Sequence, residues 1–271
     1  MAWWLLCCSV AATSALRTLT ELKAIYDASH ARMEAIVSEH WNATGFTRVS
    51  SSPEALHRYR IGSIRWERAA AMAVFMDLCQ PAVMLEIGGF VGFSSHFFLS
   101  LMQRWGGRMV SIDPNIPHRE ILKPREFYKR MNAPFVEAGR LHMIDAYWSN
   151  GESLGRQEPA MVHPQWFRSV NQTFDLAFID GDHTEKGVTR DWELLRQIMR
   201  RGACVIFDDL ADFYPGVVAL VNKIQRSHVR ALTGNVMFGF QAAAFLDNGH
   251  FSAPLQDGLF HRPHFKRPQR R

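Results

Sequence analysis

Asp180, His183, Asp208 and Asp209 are the residues of this 271-residue chain whose types and spacing could do chemistry. Two apolar runs, Phe174 to Ile179 and Ala203 to Phe207, each stop at acid, the first at Asp180-Gly181 and the second at Asp208-Asp209. Such runs read as strands buried on both faces. Between them Val188, Trp192, Leu195 and Met199 recur at helical spacing, and Arg201-Gly202 closes that helix. A helix of this length joining two strands is a right-handed crossover, so the strands are parallel and their C-terminal ends share one edge. Open α/β sheets bind ligands at that edge. Three carboxylates gathered there repel, and one takes up a proton unless a cation offsets them. A divalent cation such as Mg²⁺ suits oxygen ligands, and a substrate hydroxyl bound to it loses its proton more readily. Asp180, Asp208 and Asp209 are therefore the expected metal ligands. His183, whose ordinary pKa lies near working pH, is the expected general base beside Asp180. Asp182-x-x-Glu185 reads as a capping box for the helix that follows.

A second constellation lies upstream. Ala82 to Ile87 is another buried run, followed by Gly88-Gly89-Phe90-Val91-Gly92-Phe93-Ser94-Ser95 and a helix from Ser94 to Trp105. Glycines between a strand and a helix permit a tight turn and close backbone approach to a ligand. The next strand, Met109 to Ile112, ends in Asp113, where an acid suits the hydroxyls of a ribose. The dinucleotide series G-x-G-x-x-G is missing, and so is the GxxxxGK[ST] of nucleoside triphosphate sites.

LEIGGFVGFSS resembles the first motif of class I S-adenosylmethionine-dependent methyltransferases. FDLAFIDGDHTEKG and GACVIFDDL follow in the same order. Together the three resemble small-molecule O-methyltransferases of the catechol, caffeoyl-CoA and macrocin types, from about Trp66 to Phe245. The resemblance implies a Rossmann-like three-layer α/β sandwich, its seven-stranded, mostly parallel sheet closed by an antiparallel hairpin at Arg230–Thr233 and Phe238–Phe245. It implies S-adenosylmethionine as cofactor, with Gly88 and Gly92 admitting the methionine part and Glu86 near its amino group. Asp113 would hold the ribose, while Asp145 and Ala146, after the strand Leu141 to Ile144, would lie at the adenine. It matches Asp180, Asp208 and Asp209 to the metal ligands of the metal-dependent branch. Asp208-Asp209 departs from the Asp-Asn usual in the catechol and caffeoyl-CoA relatives, which turns the expected acceptor away from catechols. A metal-free methyltransferase acting on another atom, and a non-catalytic nucleoside- or partner-binding module, are the competing readings.

Composition limits the rest. Five of the 31 basic residues lie in the acid-free tail HRPHFKRPQRR, so the +5 charge belongs to that tail and the remainder balances its 26 acids. The expected partner is thus a small hydroxylated molecule rather than nucleic acid, with a homo-oligomer allowed. The expected organisation is an apolar segment over 1–16, a methyltransferase domain with helical cover over 17–250, and a basic, disordered tail over 251–271. Ala2 to Ala12 is too short to span a membrane but fits the apolar region of a signal peptide ending at Thr13-Ser14-Ala15. The alternatives are a secretory or endomembrane location and, if the segment is only a first helix, the cytoplasm. Asn42-Ala43-Thr44 and Asn171-Gln172-Thr173 are sequons. Cys79 and Cys204 read as small core residues, and no Cys/His metal spacing exists. Leu16 to His40 and Ala69 to Cys79 read as helices, as does Gly216 to His228, with Phe213-Tyr214-Pro215 placed to touch a substrate.

Overall fold

The structure is a computed structural model that describes residues 16–44, 64–117, 123–148, 161–226, 230–232 and 243–246. The apolar run before Leu16, the cleavage site at Thr13-Ser14-Ala15, the proposed start of a strand at Phe238 and the basic tail lie outside the described residues. In chain order the elements are α1 (Leu19–Thr44), α2 (Trp66–Cys79), β1 (Val83–Ile87), α3 (Phe93–Met102), β2 (Arg108–Asp113) and α4 (Pro124–Glu137). Then come β3 (Leu141–Asp145), β4 (Tyr147–Trp148), β5 (Met161–Val162), α5 (Pro164–Ser169) and β6 (Phe174–Ile179). The last are α6 (Glu185–Leu195), β7 (Met199–Phe207), α7 (Pro215–Arg226), β8 (Arg230–Leu232) and β9 (Ala243–Leu246).

β1 and β6 are buried along their whole length, as the mostly apolar strands of a covered parallel sheet are. The seven-stranded sheet has the order β3-β2-β1-β6-β7-β9-β8, and β4 and β5 form a separate parallel pair. The first five strands are parallel, and β9 runs antiparallel to both β7 and β8. Within the described residues the closing strands are Arg230–Leu232 and Ala243–Leu246. Strand order reverses beside β1: β2 lies on one side and β6 on the other, so a crevice opens between the ends of β1 and β6.

Alternation along the strands builds two cores. Met84, Met109, Leu176, Phe178, Cys204 and Ile206 face α1 to α4 and meet Phe97, Phe98 and Met131. Val83, Leu85, Ile87, Phe174, Ala177, Ile179, Val205 and Phe207 face the other way, toward α5, α6 and α7. Three layers result, as expected for this class.

α1 opens on a T-x-x-E box, in which Thr18 Oγ1 accepts from Glu21 N (3.2 Å) and Thr18 N donates to Glu21 Oε2 (2.7 Å). Just before it, the Arg17 guanidinium pairs with Asp77 and donates to the Leu101 carbonyl. Both charged side chains are nearly closed to water, at 7% and 1% exposure. This clamp fixes the start of α1 to α2 and α3. Among the described residues no helix is long and apolar enough to cross a membrane.

The structure corrects three expectations. Helix α6 ends at Leu195, and Met199 already belongs to β7, where it pairs with Phe174; Gly202, at φ 78°, lies within that strand rather than ending a helix. The helix cap is Thr184, whose Oγ1 accepts from Gly187 N (3.0 Å), while Asp182 instead accepts from Thr184 N. Cys79 and Cys204 are not free core thiols. They form a disulfide between the end of α2 and the middle of β7, across a sequence separation of 125.

Candidate active site

The crevice beside β1 deepens into a cleft of about 660 Å³, lined by the turns after β1, β2, β3, β6 and β7 and by the first turn of α2. Three backbone bonds align its floor: Gly88 N to Ile112 O (2.9 Å), Asp180 N to Ile87 O (2.9 Å) and Asp208 N to Ile179 O (3.0 Å). They carry the register of the sheet one residue past its strands, so Gly88, Asp180 and Asp208 emerge side by side.

The glycine turn forms one half of the site. Gly88 has φ 92° and backs directly onto the Asp180 carbonyl, an approach open to glycine alone. Phe90 also has positive φ, and its N–H donates to Asp113 Oδ2 (2.8 Å), which ties the turn to the end of β2. Asp113, Gly88, Phe90 and Ala146 line the cleft.

Three residues expected here stand elsewhere. Glu86 is fully buried beneath the turn, where its carboxylate accepts from Ser94 (2.6 Å), Ser111 (2.6 Å), Ser95 and Tyr128 (3.3 Å). Burial pushes its carboxyl above the usual range against the pull of the Ser111, Ser94 and Ser95 hydroxyls. Its inward place on β1 follows from strand alternation, and its visible work is to brace the turn. Gly92 is the N-cap of α3 at φ 84° and packs on Asn132 and Tyr128 rather than lining the cleft. Asp145 pairs with Arg125 (2.8 Å) and Asn115 and also lies outside the cleft wall, leaving Ala146, Tyr147 and Trp148 to line that end.

The acids form the other half. His183 Nε2 lies 3.2 Å from Asp180 Oδ1 and 3.3 Å from Asp209 Oδ2. Asp180, His183 and Asp209 present three ligand atoms within 4.8 Å of one another, a donor set of two carboxylates and an imidazole that fits a divalent cation. Asp208 is placed differently from Asp209. Its carboxylate accepts from its neighbour's backbone N–H (2.8 Å) and is paired with Arg68, which also reaches Asp209 Oδ1 at 3.2 Å. Asp209 adopts φ 55°, a left-handed conformation that aspartate tolerates.

Electrostatics follow the crowding. Burial raises Asp208 to about 8, helped by the charge of Asp180 and opposed by Arg68. Burial likewise lifts Asp180, against its hydrogen bond from His183. Burial pulls His183 down, but the hydrogen bond and charge of Asp180, with Asp209 and Asp208 behind it, outweigh that and set it above its ordinary value. The imidazole lies against Tyr214, with ring centroids 4.5 Å apart, and Phe213, two-thirds exposed, continues the aromatic wall to the cleft mouth.

Sequence reasoning missed Arg68. Nothing in its local pattern separates it from a surface arginine; only the packing of α2 over the end of β7 shows its role.

Residues 85–210, from β1 to just past the acid pair, match the family model described as a methyltransferase domain. A stretch of 52 residues is 40% identical to the uncharacterized protein R132 of Acanthamoeba polyphaga mimivirus; it covers 18% of this chain and 24% of that protein, about a quarter of its length. Among solved structures, the chain is similar to cofactor-bound Rv0187 from MTB, at 16% identity and TM-score 0.49 over 75% of this chain and 93% of that one. It is similar also to an O-methyltransferase from Bacillus cereus in complex with SAH, at 15% identity and TM-score 0.47 over 80% and 91%.

Proposed function

We propose that this chain, whose residues 85–210 match a methyltransferase domain model, is a class I methyltransferase that moves the methyl group of S-adenosylmethionine to a hydroxyl of a small molecule. One observation carries the reading: a single cleft joins the glycine turn and Asp113 to the Asp180–His183–Asp209 group. Its volume falls within the range of small-molecule sites. Gly88 and the turn admit the methionine part of the cofactor, Asp113 accepts from the ribose hydroxyls, and Ala146, Tyr147 and Trp148 border the adenine. The acceptor enters beside Phe213 and Tyr214.

The reaction needs a deprotonated oxygen, because a neutral hydroxyl is a poor nucleophile toward a methyl sulfonium. The acceptor oxygen attacks the methyl carbon, the carbon–sulfur bond breaks with its electron pair going to sulfur, and the hydroxyl proton goes to His183. Asp180 orients the imidazole through the 3.2 Å contact, and Tyr214 packs on its face. Alignment of the two reactants by the cleft walls supplies the remaining acceleration. A divalent cation held by Asp180 and Asp209 would supply Lewis acidity at the hydroxyl when bound, with the His183 imidazole left free to take the proton. A metal-free transfer is favoured by one observation, that Arg68 already supplies positive charge to the acid pair. The neutral body outside the basic tail favours a small acceptor over nucleic acid.

Methyl transfer from S-adenosylmethionine across phenols, sugars and natural-product hydroxyls, with Mg²⁺ or excess EDTA, tests this. Transfer that stops in EDTA supports the metal-assisted form. Full transfer in EDTA would establish the metal-free form. Cofactor binding with no acceptor methylated would return the chain to a non-catalytic module.

A further inference from the structure

Arg68 occupies the first turn of α2, is mostly buried, and lies on two carboxylates at once. Asp208 beneath it is 5% exposed, and a carboxylate so buried is costly without a counter-charge. Asp209 is shared. Its Oδ1 faces Arg68 at 3.2 Å, while its Oδ2 faces His183 at 3.3 Å, on the side of the Asp180 group. A cation seated among Asp180, His183 and Asp209 would therefore stand one carboxylate away from a guanidinium. Asp208 could join the ligands only if that guanidinium left.

The arrangement is held from both ends of α2. Arg68 and Cys79 stand at opposite ends of the helix; Cys79 is bonded to Cys204, and Asp208 follows four residues later, just past the end of the same strand. The helix is pinned against sliding along β7, so Arg68 can leave the acids only by swinging its side chain. The cleft that it lines gives it somewhere to go.

We propose that Arg68 is a built-in counter-cation of the acid pair, which a divalent cation must displace to gain Asp208 as a ligand, so that this one side chain sets how readily the chain takes up a metal. This rests on the cation part of the proposed function and adds a competitor to it. Two positive groups drawing on one carboxylate weaken each other. The guanidinium offsets the buried acid pair before any metal arrives, and the same contact lowers metal affinity.

Mn²⁺ titration of the full chain, read by calorimetry and by the paramagnetic signal of free Mn²⁺, tests the idea without any turnover. Arg68→Gln should bind Mn²⁺ at least about tenfold more tightly than the wild-type chain, while Arg68→Lys, which keeps the charge, should stay near wild type. Wild-type binding with Arg68→Gln equal to it or weaker would overturn the role given to Arg68 and leave the cation reading standing. No Mn²⁺ binding by either protein would overturn the cation reading itself. If Arg68→Gln fails to fold, the wild-type chain still decides. Saturating Mn²⁺ should raise labelling of Arg68 by phenylglyoxal, mapped by mass spectrometry, and unchanged labelling would refute displacement.

Discussion

Replacing Gly88 with alanine tests the geometry at the point where the two halves of the site touch. A Cβ on Gly88 would sit 2.7 Å from the Asp180 carbonyl carbon and 3.1 Å from Gly181 Cα, and nearer still to the carbonyl oxygen. All are backbone atoms, so no side chain can turn aside. The carbonyl carbon falls roughly 0.7 Å short of the 3.4 Å of ordinary contact, and the end of β6 would have to retreat by at least that much. Overpacking of this kind costs about 1–3 kcal/mol. Holding alanine at φ 92° adds roughly 1–2 kcal/mol. The sum, about 2–5 kcal/mol, corresponds to a fall in Tm of roughly 5–20 °C for a chain of this size. The same retreat drags Asp180 from His183, and an ångström of misplacement in a reacting group costs on the order of a hundredfold in rate. Gly106→Ala is the control, since Gly106 also has positive φ (76°) but nothing lies within 4 Å of its Cβ. It should lose only about 1–2 kcal/mol and keep its activity. Scanning calorimetry and methyl transfer on both variants decide. A Gly88→Ala protein that melts and turns over like Gly106→Ala would refute the reasoning.

Asp113→Ala should weaken S-adenosylmethionine binding by about 1–3 kcal/mol, read by titration calorimetry; unchanged affinity would remove Asp113 from the site. Asp77→Ala should cost about 3–5 kcal/mol in urea unfolding, because it strands the buried Arg17 guanidinium, whereas Arg17→Met with Asp77→Leu should recover most of that loss. Two buried groups should tilt stability against pH in opposite senses. Burial raises Asp191 to about 7, so the native state keeps a proton that the unfolded chain releases, and this contribution is full below pH 4 and lost as pH rises through 7. Burial lowers His96 to about 4, so its contribution is full above pH 6.5 and lost as pH falls toward 4. Asp191→Asn should therefore gain relative stability near pH 8, and His96→Gln near pH 4, each with a slope change of at most about 1.4 kcal/mol per pH unit. Melting profiles parallel to wild type across pH 4–8 would contradict both.

How much could be read before folding depended on whether the signal was local. β1, β6 and the second half of β7 are buried on both faces, so their sequences are mostly apolar runs that end in chemistry, and the acids at their ends were visible for that reason. α4 is amphipathic, with Phe127, Met131 and Phe135 on its buried side, yet Pro134 lies inside it and hides the pattern. Glu86 looked like part of the cleft because the motif around it does line one. Its place on an inward-facing strand position sends the carboxylate under the turn instead. Arg68 and the cysteine pair were invisible for another reason: their partners are 140 and 125 residues away, and only the packing of α2 on β7 brings them together.

The Cys79–Cys204 bond also makes the chain a lasso. Its covalent loop runs from the end of α2 to the middle of β7 and so encloses nearly all of residues 85–210, the stretch that matches the methyltransferase domain model. Closing a loop of that length removes roughly 5 kcal/mol of freedom from the unfolded chain in the chain-entropy picture. A protease cutting once between Cys79 and Cys204 would release nothing, because both pieces stay tied until the sulfurs are reduced. Such a nicked protein would run as one band on an oxidising gel and as two after thiol treatment. In reducing surroundings the loop opens, and the chain must then hold α2 to β7, and Arg68 to its acids, by packing and charge alone.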